Sequence, residues 1–206
     1  MIVVHHLNES RSQRVLWLLE ELGVPYEIRH YQRDAKTRLA PPELQAVHPL
    51  GKSPVLEDGG QKIIESGAIV DYLIRHHGGS HLEPARDAPE FESYNQWLHY
   101  AEGSAMLPLL LRLYVGRLGD AGAPLAPRIN SELDNHLGYV DRALQGREWL
   151  LGDRFSGADI QMSFVGEIAR DARTRFQNLD AWVRRFQQRA AYQRALERGG
   201  PYSFAT

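Results

Sequence analysis

The chain has 206 residues, 43% of them hydrophobic and 24% charged, the composition of a soluble globular protein long enough for one large domain or two small ones. Lys and Arg number 24 against 26 Asp and Glu, a formal net charge of -2. That balance gives no reason to expect nucleic acid as a partner, no apolar run approaches the roughly 20 residues of a membrane span, and MIVVHHLNESR turns polar too soon for a signal peptide, so a cytoplasmic location is expected.

Residues 2–7, IVVHHL, read as a short strand. Asn8 to Ser12 is polar and precedes Val15, Leu16, Leu18, Leu19 and Leu22, which share one helical face. Ser10 or Ser12 is the expected N-cap and Gly23 the stop. Residues 26–31 alternate as a second strand, and 41–46 hold at best a short helix. Strands at 54–56 and 62–64 flank a turn at Asp58-Gly59-Gly60. A helix carrying Ala68, Ile69, Tyr72 and Leu73 then runs to Gly78-Gly79. This β-α-β unit followed by a hairpin and a helix is the thioredoxin-like topology, expected over residues 1–78.

Residues 79–88 are polar and hold Gly, Pro and charges, as a linker does. From 89 to 206 strand signals vanish, and an all-α domain is expected. Its helices cover 91–118 with a kink at Pro108, 125–144, a segment from the Ser156-Gly157-Ala158-Asp159 capping box to about 172, then 179–189 and 192–198. Tyr94, Trp97 and Tyr100 read as core or dimer interface. Arg184, Arg185, Arg189, Arg194 and Arg198 read as a solvated basic face.

Cysteine is absent, so thiol chemistry must use a thiol carried by a small molecule. Among nine histidines, His5-His6 points to opposite faces of a strand and His76-His77 ends a helix. Neither has the i, i+4 spacing of a helical metal pair, and no metal is expected. Glu65-Ser66 places an acid and a hydroxyl at a strand-to-helix junction. Beside the exposed N–H groups of a helix start, they suit a small ligand bearing both an amine and a carboxylate.

Three blocks in order carry a family resemblance: Ser10 to Gly23 (SRSQRVLWLLEELG); His48 to Leu56 (HPLGKSPVL) followed by Glu65-Ser66-Gly67-Ala68-Ile69; and the Ser156–Asp159 box. Over essentially its whole length the chain resembles the cytosolic glutathione transferases, most closely a serine-type subgroup of bacteria and fungi. The resemblance implies a two-fold dimer and glutathione as co-substrate, conjugated to a hydrophobic electrophile or used to reduce a peroxide or disulfide. It implies Ser10 as the hydroxyl that stabilises the thiolate, with Ser12 as the fallback. Counting back from Val15 without a gap puts the activating position on Glu9 instead; a one-residue shift restores Ser10. Pro54 would be the cis proline, Ser53 would pair its backbone with the cysteinyl part of the tripeptide, and Lys52 would reach the glycyl carboxylate. Glu65 and Ser66 would hold the γ-glutamyl end. Leu7, Met106, Leu110 and Tyr114 would line an electrophile site between the domains. A carrier that binds glutathione without turnover is the alternative. An isomerase reading fits less, since the Ser-Ser-Cys motif of that branch is replaced here by Asn8-Glu9-Ser10-Arg11.

Overall fold

The structure, a computed structural model, describes residues 1–205. They form two compact units: residues 1–83 together with those from Phe186 onward, and residues 84–185. In chain order the elements are β1 (Ile2–Leu7), α1 (Ser12–Leu22), β2 (Tyr26–Tyr31), α2 (Glu43–Val47), β3 (Val55–Asp58), β4 (Gln61–Ile63) and α3 (Ser66–His76). Then follow α4 (Phe91–Tyr100), α5 (Met106–Gly116), α6 (Ala126–Ala143), α7 (Gly157–Ala169), α8 (Gln177–Gln187) and α9 (Ala190–Gly199). No helix among the described residues is long and apolar enough to cross a membrane.

The first unit is built on a four-stranded sheet of order β2-β1-β3-β4. β1 pairs parallel with β2 and antiparallel with β3, so Val4 sits between Ile28 and Leu56. All six β1 residues are buried, as expected of a central strand covered on both faces. His5 and His6 therefore point to opposite faces, and both are out of solvent. The hairpin turns on Gly59 and Gly60, both at positive φ (54° and 86°), the backbone that a two-residue loop joining right-twisted strands requires. β3 begins at Val55 rather than at the expected residue 54, because Pro54 has no N–H for the ladder.

The last helix departs from the expected division at residue 89. α9 packs on α1, and the reason is chemical. Trp17 stacks on Phe186 with centroids 5.3 Å apart and meets Tyr192 edge-on at 5.4 Å. Arg189 grips Glu21 with two bonds of 2.6 and 2.9 Å. Arg194 and Arg198 reach Glu20 at 2.8 and 2.9 Å. Burial pushes the Glu20 carboxyl up, but hydrogen bonds from Arg194, Arg198 and Tyr26 outweigh it and hold the group below its ordinary range. Three of the five arginines read as a solvated basic face are thus the partners of α1's acidic end.

In the second unit the helix expected over 91–118 is interrupted. A π-helical segment, Ala101–Ala105, separates α4 from α5, so the irregularity precedes Pro108 and places the proline in the first turn of α5, where it is tolerated. The capping box at α7 is present. Fully buried Asp159 accepts from Leu150 N–H at 3.0 Å, Ser156 N–H at 3.0 Å and Trp182 Nε1–H at 2.9 Å. Burial outweighs these donors and pushes its carboxyl up to about 6.

Candidate functional site

The loop between β1 and α1 carries Ser10 and Ser12, only 4% and 0% exposed. Ser10 caps the helix: its Oγ accepts from Ser12 N–H at 3.2 Å, the geometry that satisfies one of the open N–H groups of a first turn. The two hydroxyls lie 2.7 Å apart. Ser12 Oγ also lies 2.8 Å from His6 Nδ1 and 3.3 Å from the Leu7 carbonyl. His6 hydrogen-bonds in addition to the Gly199 carbonyl.

These contacts fix where the protons are. Burial, aided by nearby His30, lowers His6 to about 4, so the ring is neutral at pH 7 and carries one proton. A carbonyl only accepts, so that proton is on the nitrogen facing Gly199, and Nδ1 is an acceptor. Ser12 then has one proton for two acceptors, His6 Nδ1 at 2.8 Å and, further off, the Leu7 carbonyl at 3.3 Å; with that proton spent on them, Ser10 must donate to Ser12. The Ser10 hydroxyl proton points inward, and the outward side of its oxygen is an acceptor.

The second limb is the loop before β3. The Ser53–Pro54 bond is cis. Ser53 Oγ donates to the His5 carbonyl at 2.8 Å and accepts from Leu7 N–H at 3.1 Å. Its side chain is thus committed to β1. Lys52 beside it is exposed. Gly51 adopts a φ of 57°, a left-handed backbone that favours glycine.

The third limb is the start of α3. Glu65 is exposed, with a φ of 66°, an uncommon backbone for a residue with a side chain. Ser66 is buried and its Oγ accepts from Arg14 Nη1 at 3.0 Å. Arg14 is itself buried in α1, so a positive charge lies directly beneath this corner.

Two links tie the limbs together. Leu7 bonds Ser12 through its carbonyl and Ser53 through its N–H, and Arg14 joins α1 to Ser66. Ser10, Ser53-Pro54 and Ser66 are therefore gathered around the first turn of α1. Leu7 serves as this hub and is itself buried. Of the other expected electrophile-site residues, Met106 is buried, Leu110 half-buried and Tyr114 exposed on α5. Sequence reasoning gives Arg14 and His6 no role. Arg14 was within reach of it: the apolar positions Leu18 and Leu22, stepped back by four, land on Arg14, a charge on the buried stripe.

A mixed thioredoxin-like sheet domain together with a helical unit defines the glutathione transferase fold. Residues 1–75 match the glutathione S-transferase N-terminal domain and residues 104–190 its C-terminal domain. The chain belongs to the glutathione S-transferase family. It is 37% identical over 216 residues to glutathione S-transferase 3 of Schizosaccharomyces pombe, covering 96% of this chain and 88% of that one. A glutathione S-transferase structure from Actinobacillus pleuropneumoniae superposes with a TM-score of 0.88 at 32% identity, covering 97% of this chain and 93% of the other. A family member from Pseudomonas fluorescens, solved with two glutathione molecules bound, gives 0.80 at 27% identity, over 95% and 92%.

Proposed function

We propose that this protein binds glutathione in its first unit and conjugates the thiol to apolar electrophiles. The observation that carries the reading is the buried Arg14–Ser66 pair beneath Glu65. A γ-glutamyl end presents an ammonium and a carboxylate side by side. Exposed Glu65 supplies the counter-charge for the first; Ser66, the α3 N-terminus and the charge of Arg14 suit the second. Because the Ser53 hydroxyl is bonded within the sheet, Ser53 would meet the tripeptide through its backbone. Lys52 would take the glycyl carboxylate.

The sulfur would lie at Ser10, where the first turn of α1 favours an anion. A free thiol titrates near 8.5, and each tenfold gain in thiolate needs roughly 1.4 kcal/mol of differential stabilisation. Ser10 contributes as a donor only if its proton turns from Ser12 to the sulfur, giving up an internal hydrogen bond worth about 1 kcal/mol. Ser12, fully buried, would position Ser10 rather than touch the thiol. The same thiolate would serve reduction of a disulfide, forming a mixed disulfide with one half of the substrate and releasing the other as a thiol, or of a peroxide, giving an alcohol and a glutathione sulfenic acid that a second glutathione converts to the disulfide and water. A cytoplasmic homodimer with a detoxifying role completes the reading, by family resemblance.

The inward proton of Ser10 favours one second reading, a carrier that holds glutathione without turnover. Retention on immobilised glutathione, followed by turnover of an aryl halide and an alkyl hydroperoxide, tests both. No retention removes the glutathione site; retention without turnover on either substrate leaves the carrier.

A further inference from the structure

Arg33, just past β2, turns its guanidinium onto the loop that carries Ser10. Nε donates to the Asn8 carbonyl at 3.1 Å, Nη2 to the Glu9 carbonyl at 3.2 Å and Nη1 to the Arg38 carbonyl at 3.0 Å. The Arg33 N–H donates to the Asn8 side chain at 2.8 Å. One planar fork thus holds two consecutive peptides of the β1–α1 loop. The Glu9 carbonyl and the Ser10 N–H belong to the same rigid peptide, so the hold reaches Ser10 directly.

In a trans peptide the C=O and N–H point opposite ways. With both carbonyls drawn to Arg33, the N–H groups of Glu9 and Ser10 face the other side together. Among the described residues neither of these N–H groups has a hydrogen-bond partner. Glu9 is left-handed, with a φ of 54°, and Arg11 is right-handed, with a φ of -61°. Such a reversal is the backbone in which successive N–H groups make an anion-binding concavity. The Glu9 carboxylate lies elsewhere, on Ser203 N–H at 2.8 Å and Ser203 Oγ at 2.7 Å, so what Glu9 offers this loop is its backbone.

We propose that Arg33 is a positioning residue: it holds the Asn8 and Glu9 carbonyls so that the N–H groups of Glu9 and Ser10 face the glutathione sulfur, and these main-chain donors stabilise the thiolate. The inference rests on the reading above that the sulfur lies at Ser10, and it supplies a donor there. The Ser10 hydroxyl has its proton turned inward to Ser12, whereas a peptide N–H has no proton to reorient. Arg33 acts in two ways. A carbonyl bonded to a cation makes the N–H of its own peptide a stronger donor. The positive charge behind the loop also favours an anion in front of it.

The test uses Arg33→Met, Arg33→Lys and the control Arg38→Met in the full-length protein. Ultraviolet titration of bound glutathione should give a thiol pKa higher by about one unit in Arg33→Met, with Arg33→Lys in between. At a pH below the thiol pKa, kcat should fall by up to about tenfold, following the thiolate, with the KM for glutathione unchanged. Arg38→Met takes a positive charge from the same loop but leaves the carbonyl that Arg33 holds, and should not move the pKa. An unchanged pKa in Arg33→Met, or an equal shift in Arg38→Met, overturns the proposal. The Arg33→Met shift should persist in a Ser10→Ala background, because it runs through the peptide; its disappearance there would mean that Arg33 acts through the hydroxyl, which also overturns the proposal. In wild type, NMR should show the amide protons of Glu9 and Ser10 moving downfield as the bound thiol ionises, and amides that do not respond are not the donors. A wild type that fails to bind glutathione removes the functional reading. The amide nitrogen shifts of Glu9 and Ser10, read without ligand, still decide the hold of Arg33: a change in Arg33→Met is expected, and unchanged shifts overturn it.

Discussion

Ser12 Oγ lies 2.8 Å from His6 Nδ1, and this bond decides which way the proton of Ser10 points. With Nδ1 accepting, the Ser12 proton goes to His6, shared with the more distant Leu7 carbonyl, and Ser12 takes that of Ser10. Removing the Ser12 hydroxyl frees Ser10 to donate outward. Ser12→Ala is therefore expected to lower the pKa of bound glutathione and raise the rate of conjugation, by up to about fivefold for a released bond worth roughly 1 kcal/mol. The variant loses stability, because buried Nδ1 is left without a donor. Ser10→Ala shifts the thiol pKa the opposite way. Ultraviolet titration of the bound thiolate in the two variants checks the pair; shifts of the same sign would refute the proton assignment.

Arg14 and Ser66 make a second test, with binding as the readout. Ser66→Ala removes a hydroxyl that Arg14 orients, and glutathione affinity is expected to drop by about 1–3 kcal/mol, the cost of losing a charge-assisted partner. Arg14→Lys keeps the charge but loses the planar fork, so it should fall between wild type and Ser66→Ala. Calorimetry with glutathione measures both. Unimpaired affinity in Ser66→Ala would take this corner out of the site.

The pattern of residues makes the sheet domain legible because turn chemistry and periodicity agree there: Gly23 stops α1, Gly59-Gly60 turns the hairpin, and Val15, Leu18, Leu19 and Leu22 share one face of α1. Ser10, Ser53-Pro54 and Glu65-Ser66 were visible as local motifs. Two things were not. Periodicity can show that residues 190–199 are a helix but cannot show what it packs against, so Arg189, Arg194 and Arg198 read as solvated from sequence, whereas in the fold Glu20 and Glu21 lie opposite them. The proton direction at Ser10 depends on His6 and Gly199, whose meeting across the chain no local motif announces.

His6 gives the protein a pH dependence with a definite sign. Burial lowers it to about 4 from the ordinary histidine value of 6.5, so the unfolded chain binds the proton more tightly than the folded one. The stability it contributes is complete above about pH 6.5 and is lost as pH falls towards 4, up to about 3 kcal/mol. Asp159, pushed up to about 6, acts in the opposite sense over its own window, because its folded form holds the proton more tightly. The comparison is therefore wild type against His6→Asn, which keeps an acceptor for Ser12. Urea midpoints from pH 4 to 7.5 should show wild type losing more stability than the variant on acidification. Parallel curves would refute the role of His6.

Asp159 is the residue whose loss should cost the second unit most. Its carboxylate accepts from the N–H groups of Leu150 and Ser156 and the indole of Trp182, all buried. Asp159→Ala removes this acceptor from all three donors in an apolar interior, at about 1–3 kcal/mol for each bond lost that water cannot replace. Asp159→Asn keeps one acceptor oxygen but turns an NH2 group towards donors, so it restores only part of the loss. Ser156→Ala removes one cap bond and should cost about 1 kcal/mol. The order expected in thermal unfolding, followed by circular dichroism, is wild type, Ser156→Ala, Asp159→Asn, Asp159→Ala. Asp159→Asn as stable as wild type would mean that the donors are satisfied without the charge, and that the capping box contributes shape alone.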